Sequence, residues 1–428
     1  MTDTPTADEP NKKVGQSAET APSNEVAVDR DDEATLDAVS AEAPDAPTEA
    51  DPDGSSPTGQ AEDGAPEDGP TDSTADDPPE PPEPEAELRD ILVETPGNPL
   101  PDGIVGGWLT SGDGVGLRYA VCPSAQETTR GTVLLLQGRN EAIEKYFETI
   151  SDLSRRGYLV ATLDWRGQGG SDRLTRNRRR GHVGNFKFYL RDLEAFLEEL
   201  DIQYCPQPRV VLGHSMGGLL ALMAAPSLED RIERIVAAAP MIGLPIGGFS
   251  VRTAYWLTTL LRALGLGKLG IRGGARAQPL LRAESSLYTS DQKRLERNFR
   301  LVEAAPWLFL GSPSLSWVRA AIIAMRRFER SDAVATLRMP TLIVTAGDDR
   351  VVSSRAARRL AWRMRCGHGL SLAGARHELL QEADRYREPF LAAFEAFAGA
   401  ASPDETNEVD ESQIQSALEE LALTAEEI

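Results

Sequence analysis

The sequence predicts a doubly wound α/β fold: a mostly parallel sheet with helices on both faces and a helical segment inserted between two of its strands. Three observations carry this. Short, continuously apolar runs such as residues 132–136 and 341–346 recur, as strands covered on both faces require. Between them lie stretches with helical spacing, for example Phe186, Leu190, Leu193, Phe196, Leu197 and Leu200. The alternation breaks once, from about residue 241 to 332, and then resumes.

The elements follow in order. Residues 105–109 and 117–122 flank Ser111-Gly112-Asp113-Gly114, a turn of residues that tolerate positive φ, so they read as a hairpin. The strand 132–136 ends before Gly138, and a helical pattern runs from 141 to 156. A strand at 158–163 leads into a basic loop, 164–181, and a helix over 186–200. A strand at 209–213, a helix containing 219–225 and a strand at 232–239 precede the Gly-interrupted helical insertion, 241–332, which reads as a lid. A strand at 341–346, a helix at 354–364, a strand at 370–373 and a helix at 379–397 close the pattern.

Composition divides the chain into three parts. All 25 aromatic residues lie between Trp108 and Phe397. Residues 1–88 hold 26 acids, 3 bases and 14 of the 29 prolines, so they cannot bury enough apolar surface to offset the entropy of ordering and are predicted to be disordered. Residues 402–428 hold 9 acids and no base, and the helical spacing of Ile414, Leu418 and Leu421 predicts a short acidic helix there. Residues 89–401 keep 32 acids against 42 bases, so the predicted folded part is cationic although the whole chain carries a net charge of -22.

Several function classes are disfavoured. Cys122, Cys205 and Cys366 are an odd number in separate stretches with no CxxC or Cys/His spacing, which argues against a disulfide framework or a zinc site. The first residues lack the apolar core of a secretory signal, and the nearly apolar run 235–249 is too short and too interrupted by Pro240, Pro245 and glycines to span a bilayer. The expectation is a reduced, cytoplasmic protein. The arginines are not organised into a nucleic-acid recognition module.

The chemistry-bearing residues sit where strands end. Gly213-His214-Ser215-Met216-Gly217-Gly218 satisfies G-x-S-x-G between a predicted strand and a predicted helix. Such a turn presents the Ser215 hydroxyl at the carboxyl edge of the sheet, and the Met216 N–H at the helix start points toward a developing oxyanion. A serine nucleophile needs a base. Of four histidines, His377 follows the last predicted strand in Gly374-Ala375-Arg376-His377-Glu378 and is assigned the role; His214 is expected to point away from the cleft, and His368 to lie at an edge. A carboxylate must orient the imidazole. Asp348 and Asp349 compete after the strand 341–346, and the spacing of Asp349 from Val351-Val352 favours it.

With those motifs in place, residues 100–398 resemble the α/β-hydrolase family of lysophospholipase L2 and monoacylglycerol lipase. The resemblance rests on Gly213–Gly218, on Asp164-Trp-Arg-Gly-Gln-Gly-Gly-Ser171, on Gly347-Asp-Asp-Arg-Val-Val352 and on Gly374–Glu378. It implies an α/β-hydrolase sheet with an inserted lid, a Ser215–His377–Asp349 triad, and a structural role for the Asp164 segment, with Arg166 pairing to acids and Ser171 closing a turn. The chain departs from the family at Gln137-Gly138, where His-Gly is usual; the second oxyanion donor is then the N–H of Arg139.

The implied activity is hydrolysis of a small-molecule lipid or ester substrate, without a metal or organic cofactor. Other acyl specificities (esterase, thioesterase or aminopeptidase) use the same machinery, and an inactive scaffold with partner-binding tails is the reading from a different class. The loop arginines Arg173, Arg176, Arg178, Arg179 and Arg180, with His182, read either as a solvated loop or as a phosphate-binding surface. Trp256, on the insertion, reads either as part of the insertion's own core or as an acyl-binding wall that also meets lipid, and the second reading would place the protein transiently at the inner, anionic membrane face.

Overall fold

The computed structural model describes residues 91–202, 205–244, 250–271 and 287–399. All belong to the unit Pro78–Ile428. The predicted acidic extension 1–88 and the acidic tail 402–428, with its proposed helix, lie outside the described residues.

Eight strands of the described residues form one sheet: β1 Val105–Thr110, β2 Gly116–Cys122, β3 Thr132–Leu136, β4 Leu159–Leu163, β5 Arg209–His214, β6 Arg234–Ala238, β7 Thr341–Ala346 and β8 Gly367–Leu372. Their order is β1-β2-β4-β3-β5-β6-β7-β8. The hairpin β1–β2 and the β2–β4 pair are antiparallel, and every pair beyond is parallel. This is the doubly wound, mostly parallel arrangement that the alternation implies.

The continuous apolar runs exist because both faces are covered. In β3, Leu134 and Leu136 enter one core layer while Val133 and Leu135 enter the other. Ile235 and Ala237 of β6 divide from Val236 and Ala238 in the same way. That is the period-two alternation of a pleated strand with two apolar sides. Helices α1 Phe147–Arg155 and α9 Asp384–Gly399 cover one face with Phe147, Ile150, Phe390 and Phe394. The other face is covered by α2 Lys187–Ile202, α3 Met216–Ala224 and α8 Ser354–Arg363, through residues such as Phe196, Leu220 and Leu360.

The insertion leaves the sheet after β6 and returns at β7. It holds α4 Val251–Ala263, α5 Gln292–Ala304, α6 Leu315–Arg330 and the short α7 Ala333–Thr336. Helix α4 packs on α6, and Trp317 and Ile322 of α6 join the body's core. Helix α5 is held by charge: Arg294 reaches Glu148 of α1 at 2.7 Å, and Arg297 reaches the same carboxylate at 2.5 Å. Burial alone would raise Glu148, but the two guanidiniums outweigh it and hold its pKa at about 2.

Three boundaries differ from the sequence expectation. The helix expected over 141–156 is a 3₁₀ turn, Ile143–Tyr146, followed by α1, because Asp164 Oδ1 takes the Ile143 N–H at 3.1 Å. The helix expected over 379–397 divides into a 3₁₀ turn, Leu379–Gln381, and α9, because the Glu382 carboxylate accepts the N–H of Arg376 and that of Ala383 and fixes the bend between them. Strand β8 begins at Gly367 rather than 370, since main-chain pairing with β7 continues through His368 and Gly369 whatever their side chains.

A buried ionic cluster fixes the sheet's carboxyl edge. Arg118 of β2 donates to Glu144 at 2.6 and 2.8 Å and to Asp164 at 2.7 Å, and Asp164 also accepts from Gly170 N–H. All three charged side chains are essentially inaccessible. Removing one partner leaves an uncompensated buried charge, so Arg118→Met is expected to cost about 3–5 kcal/mol. Chemical denaturation checks this; a loss under about 1 kcal/mol would show that the two carboxylates are neutral or hydrated without the arginine.

Candidate active site

The site begins with a strained turn. Ser215 lies between β5 and α3 with φ 49° and ψ −110°. A non-glycine residue there costs on the order of 1–3 kcal/mol, so neighbours must hold it. They do so through both of its backbone groups. Ser215 N–H donates to Ala238 at 3.0 Å, while its carbonyl accepts from Leu219 N–H at 3.1 Å and Met241 N–H at 3.0 Å. The turn also needs space. A Cβ on Gly217 would lie 2.2 Å from the Leu136 carbonyl oxygen of β3, which excludes any side chain.

Two further loops at the same sheet edge complete the constellation. His377 follows β8 and Asp349 follows β7. His377 Nε2 stands 3.1 Å from Ser215 Oγ, and its Nδ1 stands 2.8 Å from Asp349 Oδ2. Asp349 Oδ1 accepts the N–H groups of Val351 and Val352 at 2.8 and 2.9 Å. Burial alone would raise the Asp349 carboxyl. The hydrogen bond and charge of His377, with the two N–H donors, outweigh it and keep the pKa below its ordinary value. The competing Asp348 pairs with Arg350 on the exposed side of the loop. An ionised Asp349 holds the proton on Nδ1 and leaves Nε2 to accept from Ser215, so the three groups can pass a proton away from the hydroxyl.

Sequence reasoning missed what lies behind His377. His214 does not line the cleft, as expected, but neither is it idle. Its ring lies 4.9 Å from the His377 ring, with Nε2 3.3 Å from the His377 carbonyl oxygen. Its Nδ1 faces Glu141 at 3.2 Å. Glu141 also accepts from Tyr146 at 2.6 Å and Lys145 at 2.9 Å, and Lys145 reaches Glu378 at 2.6 Å. Burial alone would lower His214, but the Glu141 carboxylate outweighs it and raises the pKa above 6.5. The four-residue step from Glu141 to Lys145 was the one readable signal.

Of the two predicted oxyanion donors, Met216 directly follows Ser215 and Arg139 lines the same cleft. Met216 is the first residue of α3, whose leading N–H groups have no partner inside the helix. Arg139 follows the turn Gln137-Gly138. Gly138 N–H is taken by Glu141, and Gln168 of the Asp164 segment bonds the Gly138 carbonyl at 2.8 Å and the Asn140 N–H at 3.2 Å. The glutamine in the histidine position turns inward, with Nε2 3.4 Å from Thr162 Oγ1. Arg166 and Ser171 occupy the structural places expected of them: Arg166 pairs with Asp113 and Asp192, and Ser171 Oγ donates to the Asp164 carbonyl.

A cleft of about 280 Å³ opens over Ser215 and His377, with Met241, Leu244, Leu295, Phe299, Phe309, Leu310 and Trp317 among its walls. Arg139 is also among the residues of this wall. None of the three residues expected to bind substrate lines this cleft. His182 bonds Ser314 Oγ at 2.9 Å, Arg180 packs against Gly270, and Trp256 stacks on Tyr255 with 44% of its surface exposed. The reason lies in the backbone: the end of the arginine loop bridges to the insertion at Gly181 and Pro313, so its neighbouring side chains brace that seam.

The family model described as serine aminopeptidase, S33, matches residues 127–384. Among curated relatives, lysophospholipase L2 of Escherichia coli is 32% identical over 284 residues, covering 62% of this chain and 79% of that protein. Monoglyceride lipase of Rattus norvegicus is 25% identical, covering 58% of this chain and 75% of that protein. Among solved structures, a soluble variant of monoglyceride lipase from Saccharomyces cerevisiae superposes with a TM-score of 0.55 at 21% identity, covering 68% of this chain and 94% of that one; it shares the fold.

Two measurements check this site. A fluorophosphonate probe is expected to label the protein but neither Ser215→Ala nor His377→Ala; Asp349→Asn slows labelling by on the order of 10³-fold or more, while Asp348→Asn changes it less than about threefold. Equal effects at the two aspartates would reassign the acid. For His214, a raised folded-state pKa contributes stability that is fully present below its unfolded value and is lost as pH rises through the folded one. The gap in urea midpoint between the unsubstituted protein and His214→Gln should therefore be widest at about pH 5.5, below the ordinary histidine value, and narrow as pH rises above that value; a gap that widens with pH would mean the ring is held neutral.

Proposed function

Because this chain belongs to the serine aminopeptidase S33 family and has the α/β-hydrolase fold, we propose that it is a serine hydrolase of carboxylic esters whose substrates are lysophospholipids. The observation that carries the mechanism is the single imidazole bridging hydroxyl and carboxylate, at 3.1 and 2.8 Å. Ser215 Oγ attacks the acyl carbonyl as its proton moves to His377 Nε2. Asp349 keeps the ring in the required tautomer and stabilises the imidazolium. The N–H groups of Met216 and Arg139 receive the oxyanion. His377 then returns the proton to the departing glycerol oxygen, leaving an acyl-enzyme. Water, deprotonated by the same nitrogen, attacks that ester; the fatty acid leaves and Ser215 regains its proton.

The substrate class is supported by two features. The walls of the cleft are mostly aliphatic and aromatic, which suits an acyl chain better than a polar peptide. The lysophospholipase relative is also the more similar of the two curated proteins, at 32% against 25% identity. Monoacylglycerol is the second reading, since it presents the same ester without the phosphate.

The insertion serves in this proposal as a lid that meets an anionic membrane surface. Trp256, Leu257 and Leu260 of α4, Leu264 just after it and Trp307 are exposed, and Arg176, Arg178 and Arg179 of the basic loop are exposed as well. No described helix is long and apolar enough to cross a membrane.

Purified full-length protein, assayed on lysophosphatidylethanolamine, monoolein, a short aryl ester and an aminoacyl anilide, is expected to release fatty acid from the lysophospholipid and the glyceride and to lose this activity in Ser215→Ala. Cleavage of the aryl ester alone would remove the lipid assignment, and cleavage of the anilide in preference to every ester would replace it with an aminopeptidase.

A further inference from the structure

The cleft wall carries a cation with no counter-ion among the described residues. Two Lys or Arg residues, Arg139 and Lys145, line the cleft there. Lys145 is neutralised by Glu141 and Glu378, at 2.9 and 2.6 Å. Arg139 has no carboxylate partner among the described residues. Among the described residues one of its five donors is spent, Nη2 on the Gly311 carbonyl at 2.7 Å, and the buried Nε has no acceptor. Burial lowers its pKa to about 10, which leaves it charged at neutral pH.

Its position is set before any ligand arrives. The guanidinium carbon lies 5.3 Å over the Trp317 ring, and Trp317 Nε1 in turn donates to Tyr189 at 3.2 Å. Gly181 makes room on the other side, where a Cβ would come within 2.9 Å of Arg139 Nη2 and 3.2 Å of Leu310. A tether from the turn to the insertion needs only a neutral donor to Gly311. A half-buried charge with unused donors beside the reactive serine needs a further explanation, and an anion brought by the substrate supplies it.

We propose that the Arg139 guanidinium receives the phosphate of the substrate, so that the cleft selects phosphate-bearing lysolipids over neutral monoacylglycerols. This rests on the ester-hydrolase reading and deepens it. In a lysophospholipid the three-carbon glycerol unit separates the scissile ester from the phosphate, and in Arg139 the side chain separates the N–H facing the oxyanion from the guanidinium. One residue thereby addresses both ends of the headgroup. The loop arginines singled out in the sequence do not line the cleft; this one does.

The test compares lysophosphatidylglycerol with monoacylglycerol of the same acyl chain, using full-length protein, Arg139→Gln and Arg139→Lys. The ratio of the two kcat/KM values should favour the phosphate-bearing lipid and fall by about tenfold or more in Arg139→Gln, as loss of a charge-assisted hydrogen bond predicts, with part of the ratio restored in Arg139→Lys. A ratio unchanged within about threefold, even if both activities drop, would overturn the proposal and make the arginine a tether only. Binding of both lipids to Ser215→Ala and to Ser215→Ala/Arg139→Gln is measured without turnover. Arg139-dependent preference there, with no hydrolysis by the unsubstituted protein, would sink the hydrolase reading and keep the phosphate site. Hydrolysis of both lipids with no such preference would do the reverse.

Discussion

One buried carboxylate ties the two sides of the candidate site together. Glu141 accepts from Gly138 N–H, from Lys145, from Tyr146 and faces His214. The first contact fixes the turn that carries Arg139. The last fixes the ring that sits beneath the His377 carbonyl. Burial alone would raise Glu141, yet Lys145 and His214 outweigh it and hold the carboxyl well below its ordinary value, so the network is ionic rather than neutral. Its cost of desolvation is offset only because nearly every donor around it is used, and that completeness is what makes the arrangement single-valued.

The strain at Ser215 depends on the same frame. The positive φ places the hydroxyl beyond the strand end, and the conformation survives because β6 and the chain after it grip the residue's N–H and carbonyl. Strand β3 closes in so tightly that Gly217 admits no Cβ. The placement of the Ser215 hydroxyl is thus a property of three adjacent parallel strands rather than of the local motif. His377 and Asp349 come from the loops after β8 and β7, on the far side of β6. Parallel strands end at one edge, so residues distant in sequence converge without long excursions.

This explains what could be read from the chain. Strands β3 and β7 were legible to the residue, because burial on both faces writes an unbroken apolar run. The positions of Ser215 and Asp349 at the sheet edge were legible because each follows such a run within a few residues, whereas His377 follows β8, a Gly-His-Gly-Leu-Ser-Leu strand that is no such run, and was read only from its place after the last predicted strand. Boundaries governed by side-chain hydrogen bonds were not: nothing in the 141–156 pattern announces that Asp164 will capture the Ile143 N–H. Glu141 and His214 were illegible as a pair, since their partnership exists only once β3 and β5 lie side by side. The described chain between 287 and 332 carries no period-two signal, and its docking onto α1 rests on Glu148, a single acid whose value depends on two arginines far along the chain.

The arginines carry the most general lesson. A dense basic run, 173–180, attracts notice as an anion receptor, yet local charge density is a poor guide to recognition in water. Arg176, Arg178 and Arg179 remain exposed, where solvent and salt screen them, and Arg173 spends its donors on the carbonyls of Gly169, Ser171, Arg178 and Trp307. Arg139 stands in sequence between Gly138 and Asn140, away from any run of basic residues. Its Nε is out of solvent, it has no carboxylate within ion-pair distance among the described residues, and an aromatic ring and a glycine fix its direction. A guanidinium in that setting interacts with an incoming anion through a lower dielectric and loses little freedom on binding. If Arg139 receives the substrate's phosphate as proposed, discrimination between a phosphate ester and a neutral glyceride rests with this isolated, half-buried charge rather than with the exposed run.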